Sequence, residues 1–208
     1  MANSLLDVLH PSSNNEQQGR FYGVAVGIVS NNQDPENLGR VRMKFPWLSD
    51  DHESDWSRMA SPMAGGGRGA YFLPEVEDEV LVAFEHGDVR CPYIVGGMWN
   101  GKDAPPSNNS DGKNNIRVIH SRSGHLIRLD DTDGAEKIEV IDKTGSNSVT
   151  IESASNNITI TCTGTLKLQA DQGIEITSQA GVKITANTTL DMEASAETIL
   201  KGSIVSIN

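Results

Sequence analysis

The segment from Asn147 to Leu200, NSVTIESASNNITITCTGTLKLQADQGIEITSQAGVKITANTTLDMEASAETIL, decides the fold. It contains pairs of apolar residues that each flank one polar residue, with Ser, Asn, Thr, Gly, Gln and Asp between the pairs. The second pair follows the first by nine residues, and every later pair follows its predecessor by eight. A fixed short period of strand and turn is typical of a solenoid. The pairs are Val149 and Ile151, Ile158 and Ile160, Leu166 and Leu168, Ile174 and Ile176, Val182 and Ile184, and Leu190 and Met192.

The spacing within each pair predicts how the chain assembles. Residues two apart leave the same face of an extended chain. Burial contributes about 1.5–3 kcal/mol for each aliphatic side chain, whereas ordering each residue's backbone costs about 1–2 kcal/mol. Because an octad supplies only one short strand and one corner, we expect three chains to wind together as a triangular β-helix. The pair residues are therefore predicted to form the core of an obligate homotrimer; a monomeric β-solenoid or a stack of hairpins is the alternative.

Composition agrees with burial that is shared between copies. The chain has 208 residues, of which 37% are hydrophobic and 5% aromatic, low values for a large private core. Its net charge of −11 disfavours nucleic acid and anionic lipid as partners. Cys91 and Cys162 are predicted to be free thiols in two separate cores, consistent with assembly in a reducing cytoplasm. No apolar run is long enough for a signal peptide or a membrane span.

The segment before the repeat has a different pattern. Apolar residues alternate, or cluster in short runs, at Val24–Ile28, Val41–Phe45, Trp56–Ala60, Val80–Phe84 and Tyr93–Trp99, with glycine- and asparagine-rich turns between them. Five short strands in about eighty residues predict a small Greek-key barrel such as the OB-fold. The predicted fold is thus all-β, with an N-terminal OB-fold barrel followed by an intertwined trimeric β-helix needle.

The predicted organisation has five parts. They are an N-terminal arm at 1–19, the barrel at 20–103, a linker at 104–115, neck strands at 116–146 and the octad-repeat β-helix at 147–208. In the arm, the apolar residues Leu5, Leu6, Val8 and Leu9 are interpreted as a hook that docks on a neighbouring protein. The alternative for the arm is a tail without fixed structure.

Several motifs resemble the VgrG and phage baseplate assembly protein V family of spike proteins. In the barrel these are Leu38–Trp47, Gly69–Val76, Asp78–Phe84, Gly87–Asp88, Pro92 and Val95–Asn100, and after it Ser121–His125, Leu129–Asp131 and Gly134–Ile138. The resemblance runs from about Phe21 to the C-terminus. Glu77 departs from the family's pattern, which commonly has glycine before Asp-Glu-Val, so the resemblance leaves the local turn at this position undefined.

The resemblance implies the central spike of a contractile injection machine: a phage tail, a type VI secretion system or an extracellular injection particle. Such a spike assembles in the bacterial cytoplasm and pierces the target membrane mechanically on sheath contraction. Because the long N-terminal hub domain of VgrG proteins is missing, the hub is expected to be a separate protein at the N-terminal end. A structural protein without enzyme activity or cofactor is expected; the alternatives are a trimeric fibre adhesin and an envelope-degrading spike enzyme.

The end of the repeat predicts a further partner. The octad phase slips after Met192, and the final apolar residues Ile204, Val205 and Ile207 do not follow it. Three such ends would leave apolar side chains and unpaired strand edges, which need a cap. We therefore expect a separate tip protein there, resembling the PAAR-repeat proteins that sharpen spikes in this family.

Four other clusters have the residue types of binding sites, and for each a structural role is favoured. The acidic run Asp50–Asp55 is interpreted as a solvated loop, the glycine-rich Gly65–Gly69 as a flexible barrel loop, and Asp130–Asp133 as a turn rather than a calcium site. His120 and His125 would be packing or surface residues, with a metal site across the trimer axis as the alternative. No metal or catalytic site is therefore predicted.

Overall fold

The structure is a computed structural model that describes residues 20–207, except for the side chains of residues 49–52. It is essentially all-β, as predicted, with one short 3-10 turn at Glu85–Gly87 in the described part. The predicted arm, with Leu5, Leu6, Val8 and Leu9, lies outside the described residues. The strands are β1 Val24–Asn31, β2 Arg42–Phe45, β3 Ser49–Glu53, β4 Arg58–Met59, β5 Ala64–Gly65, β6 Arg68–Gly69, β7 Glu79–Phe84, β8 Pro92–Gly97, β9 Ile116–His120, β10 Leu126–Asp130, β11 Lys137–Ile141, β12 Ser148–Glu152 and β13 Asn157–Thr161.

The first domain is a closed barrel. Its sheet has the order β3-β2-β1-β7-β8-β4. The barrel closes between β2 and β4, where Val41 N–H donates to the Ser57 carbonyl at 3.1 Å and Ser57 N–H donates back at 2.8 Å. Strands β1, β2, β4, β7 and β8 correspond to the five strands predicted for the barrel. Closure pairs the edge of β4 and leaves β3 as the edge strand of the sheet.

The barrel core confirms the alternation predicted for β2 and β7. In β1 the other side of the strand is buried. Val41, Met43 and Phe45 are buried, as are Val80, Val82 and Phe84. In β1, however, the inward residues are Ala25, Gly27 and Val29 rather than the alternating set Val24, Val26 and Ile28. A Cβ on Gly27 would lie 3.0 Å from Met43 Sδ, so the absence of a side chain there leaves room for the methionine.

Three sequence interpretations need correction. Most of the acidic run is not a loop but part of the edge strand β3, which ends at Glu53. The glycine-rich segment forms the hairpin β5–β6, and Gly69 is required there because a Cβ would lie 2.4 Å from the Met63 carbonyl oxygen. Both Cys91 and Cys162 are free; Cys91 is exposed rather than placed in the barrel core, and Cys162 is exposed in the single chain like the octad residues around it.

The turn at Glu77 keeps a conformation that usually belongs to glycine. Glu77 has a φ of 78°, while its N–H donates to the Val29 carbonyl at 2.8 Å and Asp78 N–H donates to the Glu75 carbonyl at 3.2 Å. The turn therefore forms despite the departure from the family's glycine, and the side chain makes this backbone conformation unfavourable.

Glu77→Gly is expected to stabilise the protein. Relief of the left-handed strain exceeds the added entropy of glycine in the unfolded chain, so the free energy of unfolding should rise by roughly 0.5–1 kcal/mol. Thermal denaturation of the full chain measures this as a higher Tm. Lys102→Gly, in a loop position without positive φ, is the control and should not raise the Tm. A lower Tm for Glu77→Gly would contradict the assignment of strain.

After the barrel, the chain forms a five-stranded antiparallel meander in the order β9-β10-β11-β12-β13. The predicted boundary between neck and repeat at 146/147 falls inside this sheet, since β11 pairs directly with β12 and β12 with β13. The nine-residue spacing between the first two apolar pairs is thus that of a hairpin, Val149 opposite Ile160 and Ile151 opposite Ile158. The domain boundaries themselves stay predictions.

The turn between β9 and β10 contacts the barrel. Gly124 has a φ of 102°, as expected for the glycine at this turn. Beside it, Arg122 Nη1 lies 2.9 Å from Glu75 Oε2. The meander therefore follows the barrel end at which β1 finishes and β7 begins, and Arg20 lies at the opposite end, bridged to Asp88.

Candidate functional site

The meander carries an apolar face formed by every second residue. Cross-strand register aligns two rows on this face. The first row is Ile119, Ile127, Val140, Val149 and Ile160, and the second contains Leu129, Ile138, Ile151 and Ile158 beside Arg117. All nine apolar residues are exposed, from 38% for Val149 to 70% for Ile158. We call this set the apolar face; it is the candidate functional surface of the protein.

The opposite face of the same sheet, called the polar face below, carries charged side chains as well as Ile116, Val118, Leu126 and Ile141, and it is better covered. Arg128 Nε donates to Glu139 Oε2 at 2.7 Å, and Lys137 Nζ lies 3.3 Å from Glu139 Oε1. Glu139 is only 7% exposed. A water-soluble sheet normally covers its apolar side and exposes its charges. The reversed arrangement indicates that another surface covers the apolar face.

Four residues of the apolar face belong to the core predicted from the sequence: Val149, Ile151, Ile158 and Ile160. It missed the contribution of β9–β11, where Ile119, Ile127, Leu129, Ile138 and Val140 extend the same surface. The signal was present as period-two alternation. In β9, Ile119 joins the apolar face, whereas Ile116, Val118 and His120 lie on the opposite side.

The octad repeat continues from the meander without internal pairing. Residues 162–207 contain no strand, and bends recur at 163–164, 171–172, 179–180, 187–188 and 195–196. These bends follow the eight-residue period of the sequence. Throughout residues 164–207, all of which the structure describes, no backbone–backbone hydrogen bond is formed. Gly181 N–H donates to the Ser178 hydroxyl at 3.1 Å, and the Gly164 carbonyl accepts from Cys162 Sγ at 3.8 Å. Most of the other N–H and C=O groups of this segment are thus available to another chain.

The remaining predicted core residues all lie on this unpaired segment. Each is more than half exposed. They are Leu166, Leu168, Ile174, Ile176, Val182, Ile184, Leu190 and Met192. The predicted tip residues behave in the same way, with Ile204 84%, Val205 54% and Ile207 86% exposed. The structure therefore places the predicted core and tip residues along one continuous uncovered stretch and brings only the first four together in a sheet.

A shallow hollow of about 570 Å³ lies at one end of the apolar face. Its polar border includes His125, Asp142, Asn147 and Cys162. Hydrogen bonds from the Thr144 hydroxyl and from Asn147 lower the pKa of Asp142 to about 2. The Asp142 carboxylate therefore accepts the hydrogen bonds that close the β11–β12 turn. This border shapes the end of the apolar face.

The two histidines are not brought together. His120 pairs opposite Leu126, on the polar face. His125 directly precedes Leu126 in the chain and therefore lies on the apolar side. Lys143 N–H donates to His125 Nδ1 at 3.2 Å, which assigns the proton of a neutral ring to Nε2. In that tautomer neither ring nitrogen offers a free lone pair to a metal.

The aspartates after β10 form a turn. Hydrogen bonds from the Thr132 hydroxyl and N–H lower the pKa of Asp130, and Arg117 Nη1 lies 2.6 Å from Asp131 Oδ2. Across the described residues, no group of three or more His, Cys, Asp or Glu side chains is arranged to hold a metal ion. In the same part of the chain, no helix has the length and hydropathy needed to cross a membrane.

Comparison with known proteins identifies the barrel. Residues 25–99 match the family described as "Type VI secretion system/phage-baseplate injector OB domain". The barrel is similar to the injector OB domains of this family. This agrees with the resemblance seen in the sequence and with the closed barrel in the structure. The injector OB domain thus leads directly into the meander and its apolar face.

Curated relatives of the injector OB domain and its flanking segment are type VI secretion system spike proteins. VgrG3 of Vibrio cholerae is 29% identical over 136 residues, which cover 62% of this chain and 13% of that protein. VgrG4b of Pseudomonas aeruginosa is 32% identical over 50% of this chain and 14% of its own length. VgrG1a of the same species is 27% identical over 59% of this chain and 21% of its own length. The chain therefore spans only a small part of these relatives.

Proposed function

We propose that this chain is the structural central spike of the baseplate of a contractile injection machine. The observation that carries the proposal is an injector OB domain that continues into an apolar surface left uncovered by the single chain. Its relatives are named as spike proteins of type VI secretion systems. The machine would be phage tail-like, type VI-like or an extracellular injection particle. The role is mechanical and non-enzymatic, and needs no cofactor.

In this proposal, three copies cover one another's apolar faces. The octad segment has bends at its repeat period but no pairing partner of its own, so the backbone hydrogen bonds have to come from other copies. One strand and one corner per octad fit one side of a triangle. Three sides close the section, and the pair residues turn inward to form the trimer core.

A closed trimeric needle suits penetration of an envelope. Its backbone groups would be paired around the circumference, so no free strand edge would remain where the structure could begin to separate. The apolar core would be dry, and the polar face of the meander with Arg128, Lys137 and Glu139 would face water. Sheath contraction would then drive the needle through the target membrane as a rigid body, without specific membrane binding.

The two ends of the spike would have different partners. A hub protein would bind at the barrel end that lies away from the meander, where Arg20 is bridged to Asp88 and where the predicted arm joins the barrel. At the other end, the exposed Ile204 and Ile207 would bind a PAAR-like tip protein. The trimer would assemble in the bacterial cytoplasm and then join a baseplate.

Imaging of assembled particles tests this function. Particles would be purified from cells that encode a complete injection machine, with this chain labelled by a bound antibody fragment. Label is expected on the particle axis, at the baseplate, and extended beyond it after contraction. Label on peripheral fibres would instead indicate the adhesin alternative, and absence of the chain from purified particles would contradict the proposal.

Removal of residues 204–208 is expected to abolish binding of the tip protein and to leave the trimer intact. The apolar contacts of Ile204 and Ile207 would be lost, while the upstream octads would still pair. Co-purification with the tip protein and native mass measure the two effects separately. Ser203→Ala with Ser206→Ala is the matched control and should retain tip binding. Full tip binding by the truncated chain would show that the cap does not use this end.

A further inference from the structure

The octad segment carries a regular pattern of charge on the side opposite the pair residues. The residue between the two members of each pair leaves the other face of an extended chain. From the third pair to the sixth, this middle residue is Lys167, Glu175, Lys183 and Asp191. The sign of the charge therefore alternates at the period of the repeat. We call these four residues the charge column.

The charge column has no partner of opposite charge within its own chain. All four side chains are exposed. Among the side chains that the structure describes, no salt bridge involves any of them. Glu175 Oε1 accepts a long hydrogen bond of 3.4 Å from the Thr177 hydroxyl. The four charges are thus free to pair with another chain.

The proposed trimer brings these residues together between chains, and the inference below rests on that proposed function. If each octad forms one side of a triangle, a chain returns to the same side after three octads, and the two other chains fill the intervening layers. By threefold symmetry, the next layer on any side then holds the corresponding residue one octad further along a neighbouring chain. Adjacent layers are about 4.8 Å apart, which is within reach of lysine and carboxylate side chains.

From this pattern we infer that the charge column binds the charge columns of the two other copies and selects a displacement of one octad between neighbouring chains. At that displacement, Lys167 meets Glu175 and Glu175 meets Lys183. Lys183 then meets Asp191, so every contact along the column joins opposite charges. At a displacement of zero or of two octads, every contact would join like charges, which is destabilising.

The apolar pairs do not make this choice. Each octad between residues 166 and 192 offers two large apolar side chains to the core, so a displacement of one octad or of two buries similar residues. Exposed ion pairs contribute little stability individually. The charge column therefore acts mainly on specificity, by making the wrong displacements unfavourable.

A second row of outward residues favours the same displacement. It lies two residues further along each octad and consists of Gln169, Thr177, Thr185, Glu193 and Lys201. Its two charged members, the last two, are opposite in sign and one octad apart. A displacement of one octad would bring them together between neighbouring chains, as it does the residues of the charge column.

Sorting between chains with opposite columns tests the inference. The inverted chain carries Lys167→Glu, Glu175→Lys, Lys183→Glu and Asp191→Lys, which keeps the net charge and restores opposite charges between its own copies. It should form trimers by itself as the wild type does. When full-length wild-type and inverted chains with different mass tags are co-expressed, a displacement of one octad puts like charges at every column contact between them. Native mass spectrometry should then count mixed trimers about fivefold below random association.

The possible results separate the charge column from the trimer on which it rests. Mixed trimers above random association would assign a displacement of zero or two octads, because wild-type and inverted columns would then attract each other. Mixing at random would show that the column does not choose a partner. Both results would overturn the inference and leave the trimer intact, whereas wild-type chains that stay monomeric would overturn the trimer and the inference with it.

A chain with the same charges in another order supplies an independent readout. Lys167→Glu with Asp191→Lys has the net charge of the wild type and of the inverted chain, but two of its three column contacts join like charges. Its trimer should have a lower Tm than that of the inverted chain. The difference should shrink at about 1 M NaCl, because salt screens exposed charges. Equal Tm values for the two chains at low salt would also overturn the inference.

Discussion

Ile176→Asp is expected to reduce the assembly from three times the 22.4 kDa chain mass to a single chain. Ile176 is 67% exposed in the isolated chain, within a segment that forms no backbone–backbone hydrogen bonds of its own. In the proposed trimer, three aspartates would converge near one axis. Burial of each unpaired carboxylate costs several kcal/mol, which exceeds what the neighbouring aliphatic pairs can offset.

Native mass spectrometry and analytical ultracentrifugation measure this effect. Thr177→Asp is the matched control, because residue 177 leaves the opposite side of the extended chain and would face water. It should preserve the trimer. A folded, monomeric wild-type chain would contradict the trimer itself, whereas an unchanged trimer in Ile176→Asp would show that this position does not face the axis.

Asp34→Ala is expected to be the most damaging polar substitution in the barrel. The Asp34 carboxylate accepts hydrogen bonds from the N–H groups of Glu36, Leu38 and Arg40, at 3.0, 3.0 and 3.2 Å. The Arg40 guanidinium adds two more, at 2.9 and 2.8 Å. The Asp34 side chain is 3% exposed. Alanine would leave the three loop N–H groups without this acceptor and Arg40 with only Glu36, 3.1 Å away, so the Tm should fall markedly.

Asp88→Ala is the matched control for this substitution. Asp88 also pairs with an arginine, Arg90, at 2.7 Å, but its side chain is 31% exposed and it accepts one backbone N–H. Solvent replaces most of what this pair provides, so its Tm should fall much less. Equal decreases in Tm for the two variants would show that the loop from β1 to β2 does not depend on Asp34.

The same aspartate predicts how stability depends on pH. The Arg40 guanidinium holds the pKa of Asp34 well below its usual range. Because the folded-state pKa is lower than the unfolded one, the contribution to stability is complete above the ordinary value of 3.8 and is lost as the pH falls below it. The wild-type Tm should therefore decrease more between about pH 6 and about pH 3 than the Asp34→Ala Tm does. A steeper acid dependence in the variant would contradict this.

Patterns that depend on neighbouring residues were readable from the sequence. The alternation of Val41, Met43 and Phe45 predicted the buried side of β2, because successive side chains of a strand point in opposite directions. The octad period likewise predicted the bends that recur through 163–196.

What the sequence by itself determined is the strand period, the all-β class and the family of the barrel. Only the tertiary structure decided which side of β1 is inward, because that depends on the fit of Met43 against Gly27 from another strand. It also placed His120 and His125 on opposite sides of the meander and joined β12 to β11 across the predicted boundary. The buried contact of Asp34 with Arg40 was likewise decided only by the tertiary structure. Local patterns fix the direction of each side chain relative to its own strand, whereas strand register and packing, which bring distant residues together, fix what that side chain meets.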